Sequence, residues 1–105
     1  MANPWRGDVA LEIDGQTHVM RLTLGALAEL EASLEEPSLM ALVERFETNK
    51  FTSQDVLDLL QAGLRGGKCD IEDDALYHGT IAGGPIAAAR AAAELLARAF
   101  TVAGT

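Results

Sequence analysis

The first part of the chain alternates between apolar and polar side chains, as a half-buried β-strand does. In residues 8–14 the apolar side chains on one face are those of Val9, Leu11 and Ile13. Asp14-Gly15 follows, and this pair is typical of a two-residue hairpin turn because glycine tolerates a positive φ. Residues 17–22 alternate again, so the pattern predicts an N-terminal β-hairpin over residues 8–22. An isolated hairpin is only marginally stable in water, and we therefore expect its apolar face to pack on the rest of the chain.

From Thr23 onward the apolar residues recur every three or four positions, which is the spacing of amphipathic helices. The positions that fit one side of the first helix are Leu24, Leu27, either Leu30 or Glu31, and Leu34. Those of the second helix are Leu39, Leu42, Val43 and Phe46, and those of the third are Val56, Leu57, Leu60 and Leu64. Each helix thus presents one apolar stripe that a shared core can cover.

Capping residues and helix breakers between these stripes predict where the helices begin and end. Pro37 ends the first helix, because the residue before a proline is pushed out of the helical region. Ser38 is a candidate N-cap of the second helix, and Thr52 with Asp55 resembles a capping box at the start of the third. Gly66-Gly67 is predicted to terminate the third helix.

The C-terminal part of the chain predicts a short helix followed by a long one. Residues 70–79 predict a fourth helix capped by Asp70. Gly83-Gly84-Pro85 separates it from an alanine-rich last helix over residues 85–100. The predicted buried stripe of this last helix consists of Ile86, Ala89, Ala93, Leu96 and Phe100. The fold class is therefore α+β: we expect a single domain over residues 1–105, with the hairpin at 8–22 and four or five helices at 23–100.

The charge of the chain narrows the classes of partner. Among 105 residues, 8 lysines and arginines stand against 16 aspartates and glutamates, which gives a formal net charge of -8. This acidic balance argues against binding of nucleic acid or of an anionic membrane surface, since both attract basic proteins. The first residues lack the apolar run of a secretory signal, so we expect none, and no stretch reaches the roughly 18 apolar residues of a membrane span. Cys69 is the sole cysteine, so an internal disulfide is impossible, and we expect a cytoplasmic location.

No group of residues has the spacing of a known catalytic or metal site. Gly67-Lys68 lacks the other residues of a phosphate-binding loop and is better explained as a helix end. The acidic run that begins at Asp70 lacks the glycine and the final glutamate of a calcium loop, and it suits the start of a helix. His18, His78 and Cys69 do not stand at ligand spacing or at the spacing of a nucleophile and its base. We therefore predict no enzymatic activity, no metal and no cofactor.

The polar ridge of the last helix is narrow, since it consists only of Arg90, Glu94 and Arg98. Small apolar residues flank this ridge, which leaves two interpretations. Either they are buried in the domain's own core, or they receive a helix of a partner or of a second copy of the chain. Trp5 likewise either covers the open end of the hairpin or anchors a partner. The candidate partner-binding residues are Trp5, Ala88, Ala91, Leu95 and Ala99.

Four stretches of the chain, taken in order, resemble a known family. They read ANPWRGDVAL, RLTLGALAELEASL, SLMALVERFETNKFTSQDVLDLLQAGLRGG and GGPIAAARAAAELLARAF. Together they are similar to the small tail protein of gene transfer agents, the phage-like particles of alphaproteobacteria, which belongs with phage tail assembly chaperones. The likeness covers nearly the whole chain except residues 68–80.

The resemblance implies an accessory role in building a phage-type tail. Chaperones of this class coat the helix-rich tape measure protein and help to recruit tail tube subunits, and these two proteins are therefore the expected partners. The same group is also described as a tail tube component, so a structural protein retained in the particle is the alternative. The helical composition favours the chaperone, because tube subunits are generally built on sheets. The family supplies no catalytic residues, and a homo-oligomer remains open.

Overall fold

The computed structural model describes residues 8–33, 39–69 and 73–101. Two antiparallel strands precede five helices, so the α+β class predicted from the sequence is confirmed. The elements are β1 (Val9–Ile13), β2 (Gln16–Met20), α1 (Leu24–Ser33), α2 (Leu39–Glu47), α3 (Ser53–Gly66), α4 (Asp73–His78) and α5 (Gly84–Thr101). Several sequence-based assignments lie outside the described residues: Trp5, Leu34, the helix end at Pro37, and the caps Ser38 and Asp70.

The hairpin forms as the alternating pattern predicts. Ile13 pairs with Gln16 next to the turn, and Val9 pairs with Met20 at the open end. Asp14 and Gly15 have φ values of 51° and 82°, and two successive positive φ angles are what the predicted turn requires. One face of β1 is buried at alternate positions, so this hairpin face contributes to the core.

Residues 80–82 lie along the outer edge of β1, on the side away from β2. The Asp14 N–H donates to the Thr80 carbonyl at 2.8 Å, and the Ala82 N–H donates to the Glu12 carbonyl at 3.1 Å. The connection between α4 and α5 therefore covers part of an edge that would otherwise present unpaired backbone groups to solvent.

The second and third helices follow their predicted stripes. Leu42 is fully buried, and Leu39, Val43 and Phe46 pack against the core. Thr52 caps α3: its side chain accepts from the Asp55 N–H at 3.1 Å, and the Asp55 carboxylate accepts from the Thr52 N–H at 2.9 Å. The predicted capping box is thus confirmed with aspartate at its second position. The predicted end of α3 is also confirmed, since Gly66 is its last residue and Gly67 its C-cap.

The predicted buried stripes of α1 and α5 are wrong at their first positions. Leu24 is 85% exposed, and Ala26 and Leu30 form the buried side of α1. Ile86 is 73% exposed. The buried positions of α5 are Ala88, Ala91, Ala92, Leu95 and Leu96. Because both helices are apolar on more than one side, their periodicity could not identify the side that faces the core.

The C-terminal half of α3 packs directly on the backbone of β2. The Arg21 N–H donates to the Gly63 carbonyl at 2.9 Å. A Cβ added to Gly66 would lie 1.9 Å from the Arg21 carbonyl oxygen, and one added to Gly67 would lie 2.0 Å from the Val19 carbonyl oxygen. These glycines therefore permit a helix-to-strand distance that a larger residue would prevent. The core closes around this contact, with Met20, Leu59 and Leu95 fully buried.

Candidate functional site

Of the five candidate partner-binding residues, the structure places three inside the domain. Ala88, Ala91 and Leu95 are 6%, 8% and 0% exposed, and Ala99 is partly buried against the same core. Trp5 lies outside the described residues. Of the two interpretations of this side of α5, burial in the domain's own core is the one observed. The prediction that Ala88, Ala91 and Leu95 form a partner surface does not agree with this burial, because the protein itself covers those side chains.

The polar ridge of α5 is part of an ion-pair cluster at the open end of the hairpin. The Asp8 carboxylate is 2.7 Å from the Arg21 guanidinium, while Arg98 donates to the Asp8 carbonyl and pairs with Glu94 at 3.3 Å. The hydrogen bond to Asp8 raises the pKa of Arg21 above its usual value, and burial opposes it. This cluster joins β1, the end of β2 and the last turns of α5, so its contacts tie structural elements together.

A second charged pair joins α2 to the start of α3. Arg45 donates from two nitrogens to the two carboxylate oxygens of Asp55, each at 3.0 Å. Burial opposes ionisation of Asp55 and is the largest single influence on it. The hydrogen bonds from Arg45 and from the Thr52 backbone together outweigh burial, so the pKa of Asp55 lies below its ordinary value. The pair therefore holds two helices together through a permanently ionised carboxylate at neutral pH.

The two histidines and the cysteine have different neighbours. His18 is half-buried and faces Leu11 across the strand pair, whereas His78 is exposed beside Tyr77. Cys69 is half-buried, and its thiol donates to the Val19 carbonyl at 3.2 Å. Within the residues that the structure describes, no three His, Cys, Asp or Glu side chains lie close enough to hold a metal ion together.

The Cys69 thiol is predicted to react slowly. Burial raises its pKa, and the hydrogen bond to Val19 opposes that rise only in part. Because the thiolate is the reactive form, we expect the folded protein to react with 5,5′-dithiobis(2-nitrobenzoate) at pH 8 about tenfold more slowly than the urea-unfolded chain. The absorbance of released thionitrobenzoate measures both rates, and equal rates would contradict the prediction.

The exposed apolar side chains are the remaining candidates for contact with a partner. Among the described residues the large ones are Leu24, Met40, Tyr77 and Ile86. The helical periodicity predicts that Leu24 and Ile86 are buried, so it does not identify either residue as an exposed candidate for contact with a partner. The signal that could have separated them from buried residues is their position in the first turn of each helix, next to Thr23 and Pro85, where a side chain projects beyond the packed body of the domain.

Comparison with known protein families gives a match over nearly the whole chain. The sequence matches the family described as "phage tail tube protein, GTA-gp10" over residues 6–102. No curated protein and no solved structure matches the chain. None of the helices in the described part of the chain has the length and apolar character to cross a lipid bilayer.

Proposed function

Because this chain belongs to the gene transfer agent family of phage tail tube proteins, we propose that it acts as a tail assembly chaperone in the bacterial cytoplasm. In this role it binds the tape measure protein and assists the assembly of tail tube subunits around it. The single observation that supports the proposal best is the combination of this tail family with a small, mainly helical domain. Tail tube subunits are generally built on sheets, whereas the described part of this chain forms one two-stranded sheet.

The surface of the domain supports the same role. Leu24, Met40 and Ile86 expose large apolar side chains on three different helices, and we propose that the client contacts the domain through such side chains. The net charge of -8 on 105 residues keeps a complex with such a client in solution, because like-charged complexes repel one another.

Co-expression tests the proposed function. The chain is produced with a tape measure protein from the same gene transfer agent, and the soluble fraction of the tape measure protein is measured with and without the chain. We expect the soluble fraction to rise several-fold and the two proteins to purify together. A tape measure protein that stays equally insoluble and does not purify with the chain would overturn the proposal.

The alternative is a structural protein that stays in the finished tail, and the family description as a tail tube protein favours it. Quantitative mass spectrometry of purified particles separates the two roles. If the chain is a chaperone, it is absent from the particles or present far below the amount of the tube subunit. If it is a tail component, its copy number is a fixed fraction of that of the tube subunit.

A further inference from the structure

The open end of the hairpin is extended by one further pair of residues. Val9 pairs with Met20 at the end of the two strands. Asp8 and Arg21 stand one step further along, and the Asp8 carboxylate lies 2.7 Å from the Arg21 guanidinium. This pair therefore continues the antiparallel register beyond β1 and β2, in which opposite residues lie about 4.5–5.5 Å apart.

The first helix begins directly beside this open end with an uncovered leucine. The Thr23 hydroxyl accepts the N–H of Ala26 at 3.1 Å, so α1 starts at Leu24, three residues beyond Arg21. Leu22 is buried, whereas Leu24 is 85% exposed. The chain thus passes within two residues from the core to an apolar side chain that none of the described residues covers.

Residues 1–7 join the domain at the same place. Asp8 is only 3% exposed, and it is held by two different parts of the fold. Arg21 donates to its carboxylate, and Arg98 of α5 donates to its carbonyl. The segment that precedes Asp8 therefore starts from a fixed point beside the open end of the hairpin.

The register of the hairpin relates Trp5 to Leu24. Each step away from the turn lowers the residue number on one strand by one and raises the number on the other strand by one. Three steps beyond the pair of Asp8 and Arg21, the two numbers are those of Trp5 and Leu24. Three extended residues span about 10 Å, so each of these residues lies within that distance of the same ion pair.

We propose that residues 1–7 run along the open end of the hairpin and that Trp5 covers Leu24. Trp5 is the sole tryptophan of the chain, and its contact with a leucine removes apolar surface of both side chains from water. The proposal goes beyond the proposed function and does not depend on it. Its consequence for that function is that a client which contacts Leu24 has to displace Trp5.

Covalent attachment favours this segment over a separate molecule as the occupant. Two residues join Trp5 to the fixed Asp8, and a short tether of this kind gives an effective concentration in the millimolar range. A second copy is opposed in addition by charge, because each copy carries a formal net charge of -8 and like-charged molecules repel one another.

The fluorescence of the single tryptophan tests the proposal directly. Trp5 emission and its quenching by acrylamide are measured in the full-length wild type, in Leu24→Ala and in Ile86→Ala. Ile86 is the matched control: it is 73% exposed in the first turn of α5, and it follows the segment that borders β1 near the hairpin turn. We expect wild-type emission at a shorter wavelength than that of the urea-unfolded chain. Leu24→Ala should move it to longer wavelength and make quenching about twofold more efficient, whereas Ile86→Ala should change neither.

A double-mutant cycle tests whether Leu24 is the residue that Trp5 contacts. Urea unfolding followed by circular dichroism gives the equilibrium constant of unfolding of each variant. We expect Trp5→Ala to raise this constant about fivefold in the wild type and less than twofold in Leu24→Ala. In Ile86→Ala the substitution of Trp5 should retain its full effect.

Three results would overturn the proposal. The first is a Trp5 emission in the folded protein that equals that of the unfolded chain. The second is an effect of Trp5→Ala that is the same with and without Leu24. The third is a wild-type emission that shifts with protein concentration, since it would place Trp5 against a second copy. None of these measurements uses the tape measure protein, so a failure here leaves the proposed function standing, and a failure of co-expression leaves the contact of Trp5 standing.

Discussion

Gly66→Ala is expected to destabilise the protein by about 3 kcal/mol, because it inserts a methyl group into the contact between α3 and β2. The new Cβ would lie 1.9 Å from the carbonyl oxygen of Arg21. That oxygen belongs to the backbone, so a side-chain rotation cannot relieve the overlap, and α3 has to move away from β2. This movement also stretches the hydrogen bond from the Arg21 N–H to the Gly63 carbonyl, which is 2.9 Å long.

Gly25→Ala is the matched control. Gly25 is also inside a helix, but the nearest atom to an added Cβ is the Thr23 hydroxyl oxygen at 3.9 Å. Alanine is a better helix former than glycine, so this variant should gain about 0.5 kcal/mol. Urea unfolding followed by circular dichroism measures both changes, and Gly66→Ala should also lower the melting temperature by roughly 15 °C. Equal stability of the two variants would mean that the contact between α3 and β2 is looser than the structure shows.

The hairpin and the middle helices could be predicted from the sequence because local signals there agree with one another. Alternation defined the buried face of β1, and Asp14-Gly15 defined the turn. The capping box at Thr52 and Asp55 defined the start of α3. These features depend on residues within a few positions of each other, so a single sequence contains what is needed to recognise them.

The packing of α3 on β2 could not be predicted in the same way. Gly66 and Gly67 were predicted to end α3, and they do end it. Because they lack a side chain, these glycines also let the carbonyl oxygens of Arg21 and Val19 approach closely. Arg21 and Val19 are more than 40 positions away in sequence, and no local pattern specifies this contact. The same limit applies to α5, where alanine occurs on all sides. Its buried side was determined by contacts with α3 and β1, not by its own periodicity.

The predicted partner surface on α5 shows most clearly that a helical pattern alone does not identify the buried side. The expected partner surface on α5 included Leu95, which turned out to be fully buried. The exposed apolar side of α1 was assigned to the core because Leu24 fits a helical stripe. The choice between two apolar sides of one helix requires knowledge of which side the rest of the chain covers.

Asp55→Ala is expected to lower the free energy of unfolding by about 3 kcal/mol at pH 7. Asp55 is a buried residue, and its carboxylate is held by two hydrogen bonds from Arg45 at 3.0 Å. The substitution leaves the Arg45 guanidinium without this partner and removes one half of the capping box of α3. Asp58→Ala is the control on the same helix: Asp58 accepts from Gln54 at an exposed site, so its loss should change stability by no more than about 0.5 kcal/mol.

The effect of Asp55→Ala should depend on pH with a definite sign. The folded-state pKa of Asp55 is lowered, so its ionised carboxylate stabilises the fold fully above the unfolded-state pKa of about 4. That contribution is lost as the pH falls through the lower folded-state pKa. The difference in unfolding free energy between the wild type and Asp55→Ala should therefore be constant from pH 7 to about pH 5 and shrink towards pH 2. Urea unfolding at each pH measures this difference, and a difference that stayed constant down to pH 2 would show that packing, not the charge on Asp55, holds α2 against α3.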